Sequence, residues 1–415
     1  MKNKPKLIRI TTVPISLEKL LENQLTFMSS HFDITAISAD KERLEKFGLD
    51  NNVKTKHIEL TRQITPIQDL KTLWQLYKFL KKEKPEIVHS HTPKAGTIGM
   101  LAAKLAGVPI RLHTIAGLPL LETIGAKRKL LNLVEKITYA SATNIYPNSK
   151  GLKQIILDLK FTKKEKLKVI ANGSSNGINT DYFNPENYSD KEKNKLKKKL
   201  GISKDDFIFI FVGRIVTDKG INELIEAFNK LSLENSKSQI TNPKTDNNQN
   251  LRQSAGNNQQ QTTNHKLLLI GSLETQLDPL NKETLKIIKT NKNIISVGYQ
   301  QDVRPYFAIA NVLTFPSYRE GFPNVVLQAG AMSLPSIVSN INGCNEIIEH
   351  QNNGLIINVK NQEALYNAMK QLFNDKELMN KFSEKSRPMV KSNFQQNVVW
   401  NALLDEYNLL ITSKK

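Results

Sequence analysis

The chain has 415 residues, enough for two or three ordinary domains and a large buried core. Lysine and arginine number 59 against 39 aspartates and glutamates, a formal charge of +20, while apolar residues at 39% sit near a globular average. The single cysteine, Cys344, excludes a disulfide framework and a cysteine-based zinc cluster, and no apolar run reaches the ~18–20 residues of a membrane span.

The start MKNKPKLIRITTVP has no long apolar stretch and no small-residue cleavage site, so no signal peptide is expected and a cytoplasmic location is. Lys6–Thr12 then reads as a buried first strand, Phe32–Ser38 as a second and Glu86–His91 as a third. Before that third strand, Gln68–Lys82 places Leu70, Leu73, Leu76, Tyr77 and Leu80 on one helical stripe, and Pro85 stops it. A helix over Gly96–Ala106, a strand over Ile110–Thr114 and a basic amphipathic helix near Lys127–Ala140 follow. Strands and helices alternating at these intervals predict right-handed crossovers and a parallel sheet.

The rhythm restarts after Gly201. Phe207–Val212 (FIFIFV) is a continuous apolar run, as expected of a strand covered on both faces. Helix Ile221–Leu231 follows, then strands Lys266–Ile270, Ile294–Val297 and Asn311–Phe315, helix Asn324–Met332 and strand Pro335–Val338. Two successive doubly wound sheets fit this order, joined through the polar stretch near Asn184–Leu200. A last amphipathic helix carries Val399, Leu403, Leu404 and Tyr407 on one side. Residues 232–265 break the pattern: rich in Asn, Gln, Ser and Thr, they bury too little to offset chain entropy and read as a disordered insertion. Such lengthening costs only ~0.6 kcal/mol per doubling of a loop.

Two segments carry chemistry. In FVGRIVTDKG (211–220), Gly213 and Arg214 end a buried strand while Lys219 and Gly220 lead into a helix. Ligands of open parallel sheets bind beyond the strands' carboxyl ends, and helix N-termini there offer unpaired N–H groups to anions. Arg214 and Lys219 can grip a diphosphate, one as a fork and one as a point charge. Alone they also read as two solvated surface cations. In FPSYREGFPNVVLQAGA (315–331), a strand end leads through Glu320-Gly321-Phe322-Pro323 to a helix near Asn324. Glycine permits close backbone approach and proline suits a first helical turn. By itself Glu320 also reads as a solvated loop acid.

Taken together these segments resemble the donor half of family 4 of the retaining, nucleotide-sugar-dependent glycosyltransferases of GT-B fold. That family shows Gly-Arg, then Lys-Gly, then Ser-x-x-Glu-Gly-Phe, then a second acid eight residues after the first. Here these are Gly213-Arg214, Lys219-Gly220 and Ser317–Phe322, but the second acid is Gln328. Stretches 297–317 and 334–348 extend the likeness, which covers nearly the whole chain outside 232–265. In the N-terminal half, 89–119 and 171–183 are family-like, and the resemblance is to a subgroup that builds bacterial surface polysaccharides on lipid carriers.

The resemblance implies an α/β chain with two doubly wound, Rossmann-like domains facing a central cleft. Residues 1–185 would form the acceptor domain and 186–390 the donor domain, with 391–415 a helix packing back across both. Arg214 and Lys219 would bind the donor diphosphate, Glu320 would lie at the sugar hydroxyls, and the Gly321–Asn324 backbone would cap sugar and phosphate. Gln328 would face the ribose with one acceptor but no charge. On the acceptor side, Pro14 falls in 11–29, where many relatives have a Gly-Gly loop. Relatives often carry a histidine just before the glycine that aligns with Gly117. Here that position is Ala116, with His113 three residues earlier, so His113 and Gly117 are acceptor-side candidates. A strand-end histidine also reads as a core residue.

No Asp-x-Asp metal pair is found, so metal-free transfer with no cofactor is expected, cations meeting the charge on the leaving diphosphate. UDP with a hexose or N-acetylhexosamine is the expected donor, and a lipid-linked or glycan molecule the acceptor. The charge of +20 suits peripheral contact with an anionic membrane face, where ~1 kcal/mol per nearby cation accrues, and the Lys127–Lys129 helix is a candidate for it. A lysine-rich composition alone also explains that charge. No helix-turn-helix, zinc spacing or aromatic platform supports a nucleic-acid binder. A GT-B epimerase or hydrolase, or a non-catalytic relative, stands as the alternative.

Overall fold

A computed structural model describes residues 4–61, 63, 65–240, 264–276 and 278–414. The chain divides into two compact units. The first holds residues up to Asn179, the short segment Glu320–Asn324 and the chain from Lys391 on; the second holds Thr180–Arg319 and Val325–Val390.

The first unit is built on six parallel strands: β1 (Lys6–Ile10), β2 (Asp33–Ser38), β3 (Lys54–His57), β4 (Ile87–His91), β5 (Ile110–Ile115) and β6 (Asn144–Pro147). Their order is β3-β2-β1-β4-β5-β6, with Leu7 of β1 level with Ile34 of β2 and Ile87 of β4. Because side chains alternate across a strand, β1 sends Ile8 and Ile10 to one face and Leu7 and Arg9 to the other. The first face is covered by helices Pro66–Glu83, Pro93–Leu105 and Gly125–Ser141, whose buried contributions include Leu76, Leu80, Ile98 and Tyr139. The second face holds Leu17, Leu25 and Phe47, together with Leu403, Leu404 and Tyr407 from the C-terminal helix Gln396–Thr412.

The second unit repeats the plan with β7 (Phe207–Val212), β8 (His265–Ile270), β9 (Ile294–Ser296), β10 (Val312–Phe315), β11 (Ser336–Ser339) and β12 (Gly354–Ile357). Its order is β12-β11-β10-β7-β8-β9, again all parallel. Read from β3 in the first sheet and from β9 in the second, each has its own strands in the order 3-2-1-4-5-6, the doubly wound arrangement whose direction of winding reverses beside the first strand. The FIFIFV run lies between β8 and β10. Its Phe209 meets Phe228 edge-on and its Phe211 stacks on Phe315 of β10 at 5.9 Å.

Three departures from the sequence reading concern local structure. The helix after β7 runs Ile221–Ile240, so it continues past Leu231 into the stretch read as disordered; residues 241–263 lie outside the described ones. Strands β3, β6 and β12 are additional, and β3, with sequence KTKH at the sheet edge, has no apolar pattern to announce it. The stripe on Pro66–Glu83 does not face one way: Leu76 and Leu80 are buried, whereas Leu70 is 67% exposed. Among the described residues no helix is long and apolar enough to cross a membrane.

Candidate active site

In the second sheet the winding reverses between β7 and β10, and both chemistry-bearing segments leave from the carboxyl ends of those two strands. After β7 the chain passes through Gly213 and Arg214 into a short turn, Thr217–Lys219, and then through Gly220 at φ 69° into the helix Ile221–Ile240. Gly220 has no alternative here. Its left-handed backbone is strained for other residues, and an added Cβ would lie 2.1 Å from the Pro316 carbonyl oxygen. That close approach locks the loop after β7 against the loop after β10. The Tyr318 amide donates to the Asp218 carbonyl at 2.9 Å across the same seam.

The cations at this edge are not bare. Arg214 Nη1 donates to Glu274 Oε2 at 3.1 Å, and its Nη2 lies 3.8 Å from Asp218. Arg319 donates to the same Asp218 carboxylate at 2.7 Å, and the Asp218 amide donates to Asp278 Oδ2 at 2.6 Å. Lys219 extends over the Phe315 ring, 6.0 Å from its centre. The Tyr318 hydroxyl donates to Glu223 at 2.6 Å, and burial beside that acid pushes the phenol well above its usual range. The result is an array of alternating charge in which carboxylates hold both guanidinium groups. Glu274, Asp218, Asp278 and Glu223 were not singled out by sequence. Glu274 and Asp278 lie on the loop after β8, Asp218 in the turn after β7 and Glu223 in the first turn of the next helix, so they give no linear motif and only the fold gathers them.

Glu320–Asn324 belongs to the first unit. A Cβ on Gly321 would stand 1.7 Å from the carbonyl oxygen of Ala116, so only glycine lets this loop meet the turn after β5. Phe322 is buried against Phe394, ring centres 5.4 Å apart, and its ring also fills the space beside Gly173. Pro323 precedes the helix Asn324–Ala331, on which Gln328 sits one turn in. Glu320 therefore borders a glycine whose backbone is fixed by the residue just before Gly117.

The acceptor-side candidates fall in different surroundings. Pro14 occupies the first helical position after β1, buried in a short turn; just before it the Thr12 and Thr92 hydroxyls pair at 2.7 Å. Gly117 lies past the end of β5. His113 is a core residue. Its ring fills the space beside Gly96, where a Cβ would come within 2.3 Å, and its Nδ1 pairs with the Ser90 hydroxyl at 2.9 Å. Burial depresses its pKa to about 4.

A second polar cluster, unforeseen in the sequence, lies on the opposite face of the first sheet. Arg9 is fully buried yet no carboxylate touches it among the described residues; its guanidinium donates to Gln24 Oε1 at 2.8 Å, to His91 Nε2 at 2.7 Å and to the Tyr407 hydroxyl. His89 pairs with Tyr407 through Nδ1 and with Thr114 through Nε2 at 2.7 Å. A nitrogen that accepts from a guanidinium must keep its lone pair, so burial first and Arg9 second hold His89 and His91 neutral. The cluster fastens the C-terminal helix to β1 and β4. Its only sequence signal is polarity at Arg9 and in HSH within otherwise apolar strands.

Comparison with known proteins gives the following. Residues 192–389 match the family model for glycosyl transferases group 1, and residues 20–149 that for glycosyl transferase 4-like proteins. The chain is 33% identical over 413 residues to the capsular polysaccharide biosynthesis glycosyltransferase CapM of Staphylococcus aureus, covering 99% of this chain and 98% of that one. It is 30% identical to the Escherichia coli UDP-Gal:alpha-D-GlcNAc-diphosphoundecaprenol alpha-1,3-galactosyltransferase, covering 94% of this chain and 91% of that one. Among solved structures, a glycosyltransferase from Rickettsia africae superposes with a TM-score of 0.77 at 20% identity, covering 99% of each chain.

Proposed function

Since the chain belongs to family 4 of the GT-B glycosyltransferases, we propose that it transfers a hexose or N-acetylhexosamine, with retention, from a UDP-sugar to a lipid-linked acceptor during assembly of a bacterial surface polysaccharide. The observation that carries this reading is the pair Arg214 and Lys219 at the carboxyl edge where the second sheet reverses its winding. The donor and acceptor classes are taken from the names of the relatives, one of which uses UDP-Gal and a diphosphoundecaprenol-linked sugar.

Breaking the sugar–phosphate bond builds negative charge on the departing diphosphate and oxocarbenium character on the sugar. Arg214 and Lys219 meet the first, aided by the amides that open the helix at Ile221. Glu320 holds the sugar hydroxyls, the Gly321–Asn324 backbone caps sugar and phosphate, and Gln328 accepts from the ribose. Attack then comes from the face the diphosphate leaves, with a phosphate oxygen taking the acceptor proton. Fixed cations in this role make the reaction independent of a divalent ion. The excess of positive charge favours peripheral residence at an anionic membrane, where a lipid-linked acceptor is held.

The test is UDP release from a UDP-sugar with and without a short-chain polyprenyl-diphosphate sugar. Release that depends on acceptor and survives EDTA is the expected result; Lys219→Ala and Glu320→Ala should each lower it about 100-fold or more while the melting curve is kept. Acceptor-independent release would point to a hydrolase or epimerase instead. Full activity in both variants would show the site to be misassigned.

A further inference from the structure

Asp218 joins three loops at the carboxyl edge of the second sheet. Its amide donates to Asp278 on the loop after β8, and its carbonyl accepts from the Tyr318 amide at 2.9 Å and the Ser317 hydroxyl at 3.4 Å on the loop after β10. Those bonds fix its backbone. Its carboxylate lies between two guanidinium groups of the same unit: Oδ2 accepts from Arg319 Nη2 at 2.7 Å and stands 3.8 Å from Arg214 Nη2. The first contact is a charge-assisted hydrogen bond, whereas the second is an ion pair too long to be one. Oδ1 is buried, and among the described residues no hydrogen-bond partner reaches it.

Arg319 is itself held in place. It follows Tyr318, whose hydroxyl is bonded to Glu223, and its own carbonyl accepts from Ser317 Oγ at 3.1 Å. A carboxylate with one oxygen unsatisfied gains by turning toward a donor within reach, and Arg214 Nη2 at 3.8 Å is such a donor. The Arg319 bond opposes that turn, and its positive charge offsets the attraction of Asp218 for Arg214. Arg214 already gives Nη1 to Glu274 at 3.1 Å. Closure of Asp218 on Nη2 would therefore place both prongs of the fork on carboxylates, and that fork is what a diphosphate requires.

We propose that Asp218 is a positioning residue for the donor cation Arg214, and that Arg319, by holding the Asp218 carboxylate, keeps it from closing on Arg214 and so raises affinity for the donor diphosphate. The proposal rests on the transferase reading, which places the diphosphate at Arg214, and adds to it two residues that act without touching the donor. Arg319 directly precedes Glu320 in the chain, so the loop that carries the acid for the sugar also governs the cation for the phosphates.

The test is UDP binding to the full chain by calorimetry, with uridine binding by saturation-transfer NMR beside it. Arg319→Gln should weaken UDP about two- to fivefold, the scale of a half-exposed pair, with an unchanged melting curve. Asp218→Asn keeps the backbone bonds and should tighten UDP by a similar factor. The double variant should bind UDP at least as tightly as the wild type. Glu274→Gln in the Arg319→Gln background restores the same net charge but leaves Asp218 beside Arg214, so it should rescue less. Uridine, which carries no phosphate, should bind all variants alike. The proposal is overturned if Arg319→Gln leaves UDP binding unchanged, or if the double variant is as weak as Arg319→Gln alone, which would make Arg319 a direct donor contact. Equal rescue by Glu274→Gln would reduce the effect to net charge, and equal weakening of uridine would reduce it to a loosened fold; either overturns it. In each of these cases UDP still binds the wild type and the transferase reading stands. A wild-type chain that binds no UDP would overturn that reading and this proposal together.

Discussion

Acid should unfold the first unit before the second, because of where the buried histidines lie. His89, His91 and His113 are in the first unit and His265 in the second, and all four are buried. Burial lowers His113 and His265 to about 4 and drives His89 and His91 well below their ordinary range, Arg9 adding to the effect on the last two. In the fold these rings stay neutral, while in the unfolded chain they titrate near 6.5. Below pH 6.5 the unfolded chain therefore binds more protons, and stability falls as pH drops until the folded values are reached. For a ring at about 4 in the fold, going from pH 7 to pH 5 costs about 2 kcal/mol. The second unit thus loses about 2 kcal/mol through His265, while the first loses about as much through His113 and more through His89 and His91, against a typical total of 5–15. Burial raises Glu22 and Glu135, a shift that works against this loss in the first unit.

The assay is urea unfolding at pH 7 and pH 5, followed by tryptophan fluorescence and by far-ultraviolet circular dichroism. Both tryptophans, Trp74 and Trp400, lie in the first unit, so fluorescence reports that unit while dichroism reports both. The fluorescence midpoint should fall steeply at pH 5 and separate from the later part of the dichroism curve. His113→Asn should lower stability at both pH values yet shrink the difference between them by about 2 kcal/mol. Equal fluorescence midpoints at the two pH values, or a second unit that unfolds first, would refute the argument.

Three further outcomes follow from the candidate site. Glu274→Gln releases Arg214 from a competing carboxylate in a half-exposed pair worth about 0.5–1 kcal/mol, so UDP should bind about two- to fivefold tighter by calorimetry; an unchanged affinity would show that the pair does not compete. Gly220→Ala forces a Cβ to within 2.1 Å of the Pro316 oxygen at a left-handed backbone position and should cost about 2 kcal/mol or more in urea unfolding, with loss of UDP binding. Gln328→Glu restores a charged ribose acceptor and should tighten UDP about fivefold, a gain of about 1 kcal/mol; no change would separate that position from the ribose.

What the sequence made legible followed from whether a residue's pattern had one physical cause. Phe207–Val212 is apolar throughout because it is covered on both faces, and strand and reading coincide. Gly220 and Gly321 stood out as glycines beside charged residues, and the reason for each is a carbonyl oxygen where a Cβ would go. The stripe on Pro66–Glu83 was misread because periodicity counts apolar residues without asking what covers them: Leu70 and Tyr77 share a helix with Leu76 but face outward with Trp74. Arg9 escaped because a charge inside a strand is improbable until His91, Gln24 and Tyr407, distant along the chain, supply its hydrogen bonds. The counter-ions of Arg214 escaped for the same reason. A motif records the residues that would touch a ligand, whereas the carboxylates that hold those residues when the ligand is gone are fixed only by the fold. If diphosphate binding is an exchange of one set of anions for another, donor affinity at this edge should follow the removal of Glu274 as closely as the loss of Lys219.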